Sequence, residues 1–197
     1  MGFFNRRRRG RTLLLAAVLW FGCGDGANPG GGGGGLSETV PLGGLKWMTK
    51  NLNVPTEDSW CYDGITANCN KYGRLYTWEA AKRACRSVGM RLPSNHEWEK
   101  LVAAATGDYS AGYNLKSKSG WYNNGNGSDK FGFSALPGGR RYSDGNFDIA
   151  GSSGNWWTAT EYSDGHAYIR GMNYLDDYVG ESYFYKSYGF SARCVQD

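Results

Sequence analysis

Seven of the fourteen tyrosines in this chain lie after residue 160: Tyr162, Tyr168, Tyr174, Tyr178, Tyr183, Tyr185 and Tyr188. Between them sit Ser163, Asp164, Gly165, Asn173, Asp176 and Asp177. Tyrosine set among Ser, Gly, Asn and Asp is the composition of adaptable binding surfaces. The ring offers rigid contact area at small entropic cost, and the short polar groups supply hydrogen bonds. Stacked tyrosines also suit the apolar faces of sugar rings. The same composition equally serves a sheet whose tyrosines are half packed and half exposed, so residue types alone leave both readings open.

Acid–base and metal chemistry have little to draw on. The two histidines are His96, in the first turn expected of a helix, where a surface or capping role suits it, and His166, just after the turn signal Ser163-Asp164-Gly165. No H-E-x-x-H, G-x-S-x-G or phosphate-cradling glycine loop is present. A Ser-His-Asp grouping would have to assemble in space without a local signature, and no enzyme activity is expected. Asn123 to Asp129 (NNGNGSD) puts oxygen ligands at alternating positions and could hold calcium. It lacks the bidentate glutamate of an EF-hand, however, and glycine-rich turns produce such runs by chance. No other cofactor is expected. Cys61, Cys69, Cys85 and Cys194 show no metal-ligand spacing with histidines nearby, which speaks against zinc.

The fifth cysteine belongs to a different kind of segment. Arg6 to Arg9 and Arg11 precede Thr12 to Gly22 (TLLLAAVLWFG), an apolar run of eleven residues. That is short for a bilayer span and suits a secretory signal over residues 1–22. The run ends at Gly22-Cys23, a small residue before a cysteine, as at a bacterial lipoprotein processing site, although Trp20 and Phe21 are bulkier than that motif usually carries. The paired arginines read equally as a folded-export signal or as plain positive charge. Lipidation of Cys23 would also account for an odd cysteine count in an exported protein. Residues 23–35, with GDGANPGGGGGG after the cysteine, can bury nothing and read as a flexible tether. The expected location is the bacterial cell envelope, facing the surface or the periplasm, with contact to the membrane through the lipid anchor only. Without residues 1–22 the count is 17 basic against 18 acidic residues, a net charge of −1, so nothing supports nucleic-acid binding.

Residues 36–197 are long enough for one domain with a sizeable core. Leu45, Trp47 and Thr49 alternate with lysines and predict an early strand. Thr77 can cap a helix from about Trp78 to Val88, stopped by Gly89. Ser94-Asn95-His96-Glu97 is a capping box, and Trp98, Leu101, Val102 and Ala105 fall on one face of the helix that follows, which Gly107 would end. Tyr113 to Gly127 is polar and turn-rich. Phe131 to Thr160 is broken by Pro137-Gly138-Gly139, Ser143-Asp144-Gly145-Asn146 and Gly151-Ser152-Ser153-Gly154, and reads as bent strands and loops carrying aromatic side chains inward. Two helices beside a twisted, loop-rich antiparallel sheet make an α+β domain.

Several long motifs are recognisable: GLKWMTKNLN near residue 44, CYDGITANCNKYGRLYTWEAA from Cys61, GMRLPSNHEWEKL from Gly89, FGFSALPGGRR with SDG and GNWWTATE, and GFSARCV at the end. In these the chain resembles the Fibrobacter succinogenes major paralogous domain, a bacterial module related to formylglycine-generating enzymes and C-type-lectin-like domains. The resemblance implies a C-type-lectin-like fold. It also implies disulfides Cys61–Cys69 and Cys85–Cys194, the second tying a helix to the last strand as the principal bridge of that fold does. The copper-binding cysteine pair of the formylglycine-generating enzymes has no counterpart, since no cysteine lies between Cys85 and Cys194. The Glu-Pro-Asn, Gln-Pro-Asp and Trp-Asn-Asp motifs of calcium-dependent lectins are missing too.

The late segment, Glu161 to Tyr188, resembles the region that some C-type-lectin-like proteins vary to change their ligands. By that resemblance Trp156-Trp157 and the inward alternation Phe190/Ala192/Cys194 are constant scaffold. Tyr162, Asp164, His166, Tyr168, Tyr174, Asp176 and Tyr178 would then face outward to a carbohydrate or surface-protein ligand. The rival expectation is a structural or interaction protein of the envelope with no small-molecule site.

Overall fold

The computed structural model describes residues 38–106 and 109–197. The expected signal, Cys23, the tether and Gly107 lie outside these. Among the described residues no helix is long and apolar enough to cross a membrane.

Two capped helices form where local sequence demands them. Helix α2 (Trp78–Ser87) opens on Thr77, whose side chain accepts a hydrogen bond from the Ala80 amide. Helix α3 (Asn95–Ala104) opens on the reciprocal capping box. The Glu97 amide donates to Ser94 Oγ at 3.2 Å, and the Ser94 amide donates to the Glu97 carboxylate at 2.7 Å. Arg91 grips the same carboxylate with two donors at 2.8 Å each, and this hydrogen bonding is the main force holding Glu97 below the usual carboxylate range. Two shorter helices, α1 (Thr66–Tyr72) and α4 (Ala111–Leu115), lack side-chain caps and carry no comparable sequence signature.

Every named strand pair is antiparallel. Strands β1 (Thr39–Leu42) and β2 (Leu45–Met48) form a hairpin, and β10 (Val195–Gln196) pairs with the other edge of β2, so the two ends of the domain meet. Strands β3 (Ser59–Trp60) and β4 (Leu75–Tyr76) pair, as do β5 (Arg140–Arg141) and β6 (Phe147–Asp148). The largest sheet is the meander β7 (Ser153–Ser163), β8 (His166–Asn173) and β9 (Gly180–Tyr185). Helices and antiparallel sheets together make the α+β fold expected.

Trp156 and Trp157 explain how one sheet serves two cores. As consecutive residues of β7 they point to opposite faces. Trp156 joins Trp47, Trp98, Leu101 and Phe133, with Trp47 and Trp98 edge-to-face at 5.0 Å. Trp157 joins Tyr76, the alanines of α2, Ile169 and Phe190, meeting Phe190 at 4.9 Å. Each indole nitrogen finds an acceptor, Asn51 Oδ1 for Trp156 and the Tyr76 carbonyl for Trp157, both at 2.8 Å.

The closing segment departs from the expected alternation. Phe190, Ala192 and Cys194 are buried, but so are Ser191, Arg193 and Val195. This stretch runs between the cores and bridges Tyr76, Trp156 and Arg91 through Phe190, Ser191 and Val195, so neither of its sides meets water.

Both expected disulfides are present, Cys61–Cys69 across 8 residues and Cys85–Cys194 across 109. Loop-closure entropy assigns about 4.8 kcal/mol to the longer loop and about 2.5 to the shorter. In urea denaturation, replacing Cys85 and Cys194 by alanine should therefore cost clearly more stability than replacing Cys61 and Cys69. Equal losses, or a larger loss for the short loop, would contradict this assignment.

Candidate ligand-binding face

Strand pairing decides which late side chains share a face. His166 stands opposite Tyr185, Tyr168 opposite Tyr183, and Arg170 opposite Glu181, so these six point the same way. The alternate residues Ala167 and Ile169 are buried in the second core and fix β8 from behind. Arg170 anchors the row at α3, with hydrogen bonds to Glu181 at 2.6 Å and to Asn95 at 2.9 Å.

The register of β7 against β8 shifts between Trp157 and Glu161 and again before Ser163. Such irregularities bend a strand and re-aim its side chains. Here Tyr162 lies flat on Tyr183, with ring centroids 3.8 Å apart and planes 8° from parallel, and Tyr168 meets Tyr162 edge-on at 5.4 Å. His166 leans on Tyr185 at 4.3 Å. Despite this mutual packing Tyr162, Tyr183 and Tyr185 remain 48%, 47% and 56% exposed. Hydrogen bonding with Tyr183, then repulsion from its charge, raises the Tyr162 phenol above its ordinary value.

The hairpin tip beside this face is tethered. Lys186 Nζ donates to the Asp164 carbonyl at 2.9 Å, pairs with Glu161, and sits 4.6 Å from the Trp78 ring. Ser163 Oγ is 3.0 Å from His166 Nδ1, a contact across the turn. Among the described residues no carboxylate is hydrogen-bonded to the His166 ring, so no Ser-His-Asp grouping forms there. His96 is on the exposed face of α3 beside Glu99.

The seven candidate residues do not share one face. Tyr162, Asp164, His166 and Tyr168 cluster at the β7–β8 turn. Tyr174, Asp176 and Tyr178 occupy the β8–β9 connection, at the far end of an eight-residue strand and roughly 23 Å away at the usual rise. That connection is pinned, where the sequence suggested free presentation. Lys116 is buried, donates to the carbonyls of Asn173 and Asp176, and pairs with Asp177 at 3.1 Å. Gly112 and Gly125 let the loop's backbone approach so closely that a Cβ would stand 2.5 Å from the Asp177 carbonyl oxygen or 2.2 Å from that of Tyr174. Tyr174 is half-buried against the first core. Tyr183 and Tyr185, absent from the candidate set, complete the exposed cluster; the alternation Glu181/Tyr183/Tyr185 was the signal that could have placed them.

The calcium candidate, Asn123 to Asp129, uses its oxygens internally. Asn126 Oδ1 accepts from the Trp121 amide, and the Asp129 carboxylate accepts from the amide and hydroxyl of Ser134. Among the described residues no three His, Cys, Asp or Glu side chains converge as a metal site. A cleft of about 680 Å3 lies elsewhere, between residues 49–53, 69–73 and 132–136. Its buried amide, Asn51, is taken up by Tyr72, Trp156 and Arg193, and Lys50 and Lys71 stand exposed at its rim.

With this geometry in hand, residues 40–196 match the model of the Fibrobacter succinogenes major domain. The chain belongs to that family. The matched span runs from β1 to β10, so every sheet and both cores of the Fibrobacter succinogenes major domain are included. Comparison with curated proteins and with solved structures finds no match. Membership sets the framework, and the activity must be argued from the site.

The split between the two groups is measurable. Tyr162→Ala and Tyr183→Ala should each lower stability by only about 0.5–1.5 kcal/mol, the worth of one aromatic pair. Tyr174→Ala, which removes a ring packed on the core, should cost more, about 2 kcal/mol. Chemical denaturation of the three variants checks the order; a larger loss at Tyr162 or Tyr183 would show the exposed face to be structural.

Proposed function

We propose that this chain is an exported, lipid-anchored binding module of the bacterial cell envelope, with a C-type-lectin-like fold, and that its tyrosine face takes carbohydrate. The observation that carries the reading is the stacked Tyr162–Tyr183 pair, which with Tyr185 is about half exposed, together with the partly buried Tyr168 and His166 beside it. Clustered aromatic surface left in water marks interaction sites. Rings presented at several angles suit the apolar faces of sugars, while Ser163 and Asp164 lie within the same turn to meet hydroxyls. The disulfide from α2 to the closing segment supports the fold reading. The apolar run before Cys23 supports export and anchoring.

A second reading, contact with a surface protein, is favoured by one observation. Strand β9 is an edge of its sheet, paired only with β8 among the described residues. An uncovered edge is where an extended segment of another protein can add a strand.

A glycan array probed with the Cys23→Ser protein tests the first reading. Binding should fall about tenfold or more in a Tyr162→Ala/Tyr183→Ala double variant, a loss of about 1.4 kcal/mol. Absence of any glycan signal from the folded protein would reject carbohydrate as the ligand of this face. For the anchor, Cys23→Ser should move the protein out of the membrane fraction. Mass spectrometry finding an unmodified N-terminus at another position would refute lipidation.

A further inference from the structure

The ring contacts do not stop at the edge of the β7–β8–β9 sheet. His166 stands between Tyr183 and Tyr185, 5.9 Å from the first ring and 4.3 Å from the second. Just past β9 the chain turns back. The Tyr188 amide donates to the Tyr185 carbonyl at 2.9 Å, and the two rings lie 5.9 Å apart. Tyr188 in turn meets Tyr142 edge-on at 5.4 Å. Gly189 fixes that junction by exchanging backbone hydrogen bonds with Arg141, at 2.8 Å and 2.9 Å. From the stacked Tyr162–Tyr183 pair to Tyr142 the rings thus follow one another with no step longer than 5.9 Å. Tyr162, Tyr183 and Tyr185 are exposed, and His166, Tyr188 and Tyr142 are half-buried, so every ring in the row keeps some surface in water.

The far end of the row is polar. Arg140 stacks its guanidinium 4.6 Å from the centre of the Tyr142 ring and donates to the Tyr142 hydroxyl and, at 3.1 Å, to the Asp148 carboxylate. The Tyr142 hydroxyl donates to the same carboxylate at 3.1 Å. The Arg140 hydrogen bond is the main force holding Asp148 below the usual carboxylate range, and the Asp148 side chain is 43% exposed. A carboxylate only accepts and a guanidinium only donates, so the pair can serve neighbouring hydroxyls of both senses. Because the two charges are paired, this end carries no lone cation to select an anion. The ring planes also turn along the row. Tyr162 and Tyr183 are 8° from parallel, but the later steps are inclined by 37°, 43° and 74°. Rings so inclined cannot lie together on one flat surface, whereas each can meet a successive unit of a chain that winds past them.

We propose that the tyrosine face is one end of a longer site, which holds a single neutral oligosaccharide chain from the Tyr162–Tyr183 pair to Tyr142. The inference rests on the carbohydrate reading of that face and adds the size, charge and form of the ligand. A short sugar occupies the stacked pair. A longer chain continues over Tyr185 and Tyr188, and its last bound unit gives its hydroxyls to Arg140 and Asp148.

Isothermal titration calorimetry on the Cys23→Ser protein tests it, with the dimers, tetramers and hexamers of β-1,4-linked glucose, xylose, mannose and N-acetylglucosamine as probes. In at least one series the hexamer should bind about tenfold or more tighter than the dimer. Tyr142→Ala should remove that gain and leave dimer binding as it is in the parent. Tyr185→Ala, at an exposed ring in the middle of the row, should do the same and serves as the second variant if Tyr142→Ala misfolds. The Tyr162→Ala/Tyr183→Ala variant should weaken dimer and hexamer alike. Equal affinity for dimer and hexamer, or a hexamer gain that survives both row variants, would overturn the longer site and leave the carbohydrate reading of the tyrosine face standing. Retention of the protein by microcrystalline cellulose or chitin would contradict a single chain as the ligand. Silence from every oligomer would overturn the longer site and the carbohydrate reading together.

Discussion

The Arg193 guanidinium is fully buried, with no carboxylate within ion-pair distance among the described residues, and its donors run to oxygens on two other parts of the chain. Nε donates to Asn51 Oδ1 at 3.0 Å, one terminal nitrogen to the carbonyls of Met48 and Phe133, and the other to the Ser134 carbonyl at 3.0 Å. The Phe133 ring lies beneath it at 4.5 Å. Burial pulls its pKa down to about 9, which still leaves it charged at neutral pH, and Asp129 opposes the shift. Asn51 extends the knot by accepting from Trp156 and donating to the Tyr72 carbonyl at 2.8 Å. The closing segment, the loop after β2, the Phe131–Thr160 stretch and the start of β7 are all fixed at this one point. A charge here is tolerated because each of its nitrogens meets an oxygen, and the buried carbonyls of Met48 and Phe133 gain a donor from it.

That fixed point holds the large sheet in place while its far half stays in water. Trp156 and Trp157 clamp the first half of β7 between the cores, and the Cys85–Cys194 bridge holds α2 to the segment beside Arg193. Beyond the clamp β7 bulges, β8 turns back, and β9 remains an edge. Side chains there are supported from behind by Ala167 and Ile169 yet have no cover in front. Lys116 does for the opposite end what Arg193 does for the core, drawing the carbonyls of the β8–β9 connection inward.

Where a structural cause is local, the residues announced it. Thr77, Ser94 and Glu97 mark helix starts because the capping side chain lies within three residues of the amide it serves. Trp98, Leu101 and Val102 reveal a buried helical face by spacing alone. The α+β class and the stretch of bent strands from Phe131 follow from the same short-range signals. Causes that act through space left no such mark. Arg193 sits in a polar-looking run, Ser191-Ala192-Arg193, whose alternation suggested one wet side; the three carbonyls that receive it come from 59 to 145 residues away. Lys116 likewise reads as a surface lysine until the carbonyls of Asn173 and Asp176 are brought to it. The late tyrosines were recognised as a group, but their division between two ends of β8, and the bulge that lays Tyr162 on Tyr183, depend on register that composition does not encode.

The most direct measurement of this account is the stability of Arg193→Met, a change that keeps much of the side-chain volume and removes the five donors. Urea denaturation followed by tryptophan fluorescence should show a loss of about 3–5 kcal/mol, because buried acceptors on two segments lose their donor together. A loss below about 1 kcal/mol, with tryptophan emission unchanged in the folded state, would show that the knot is incidental and that the two cores hold the frame without it.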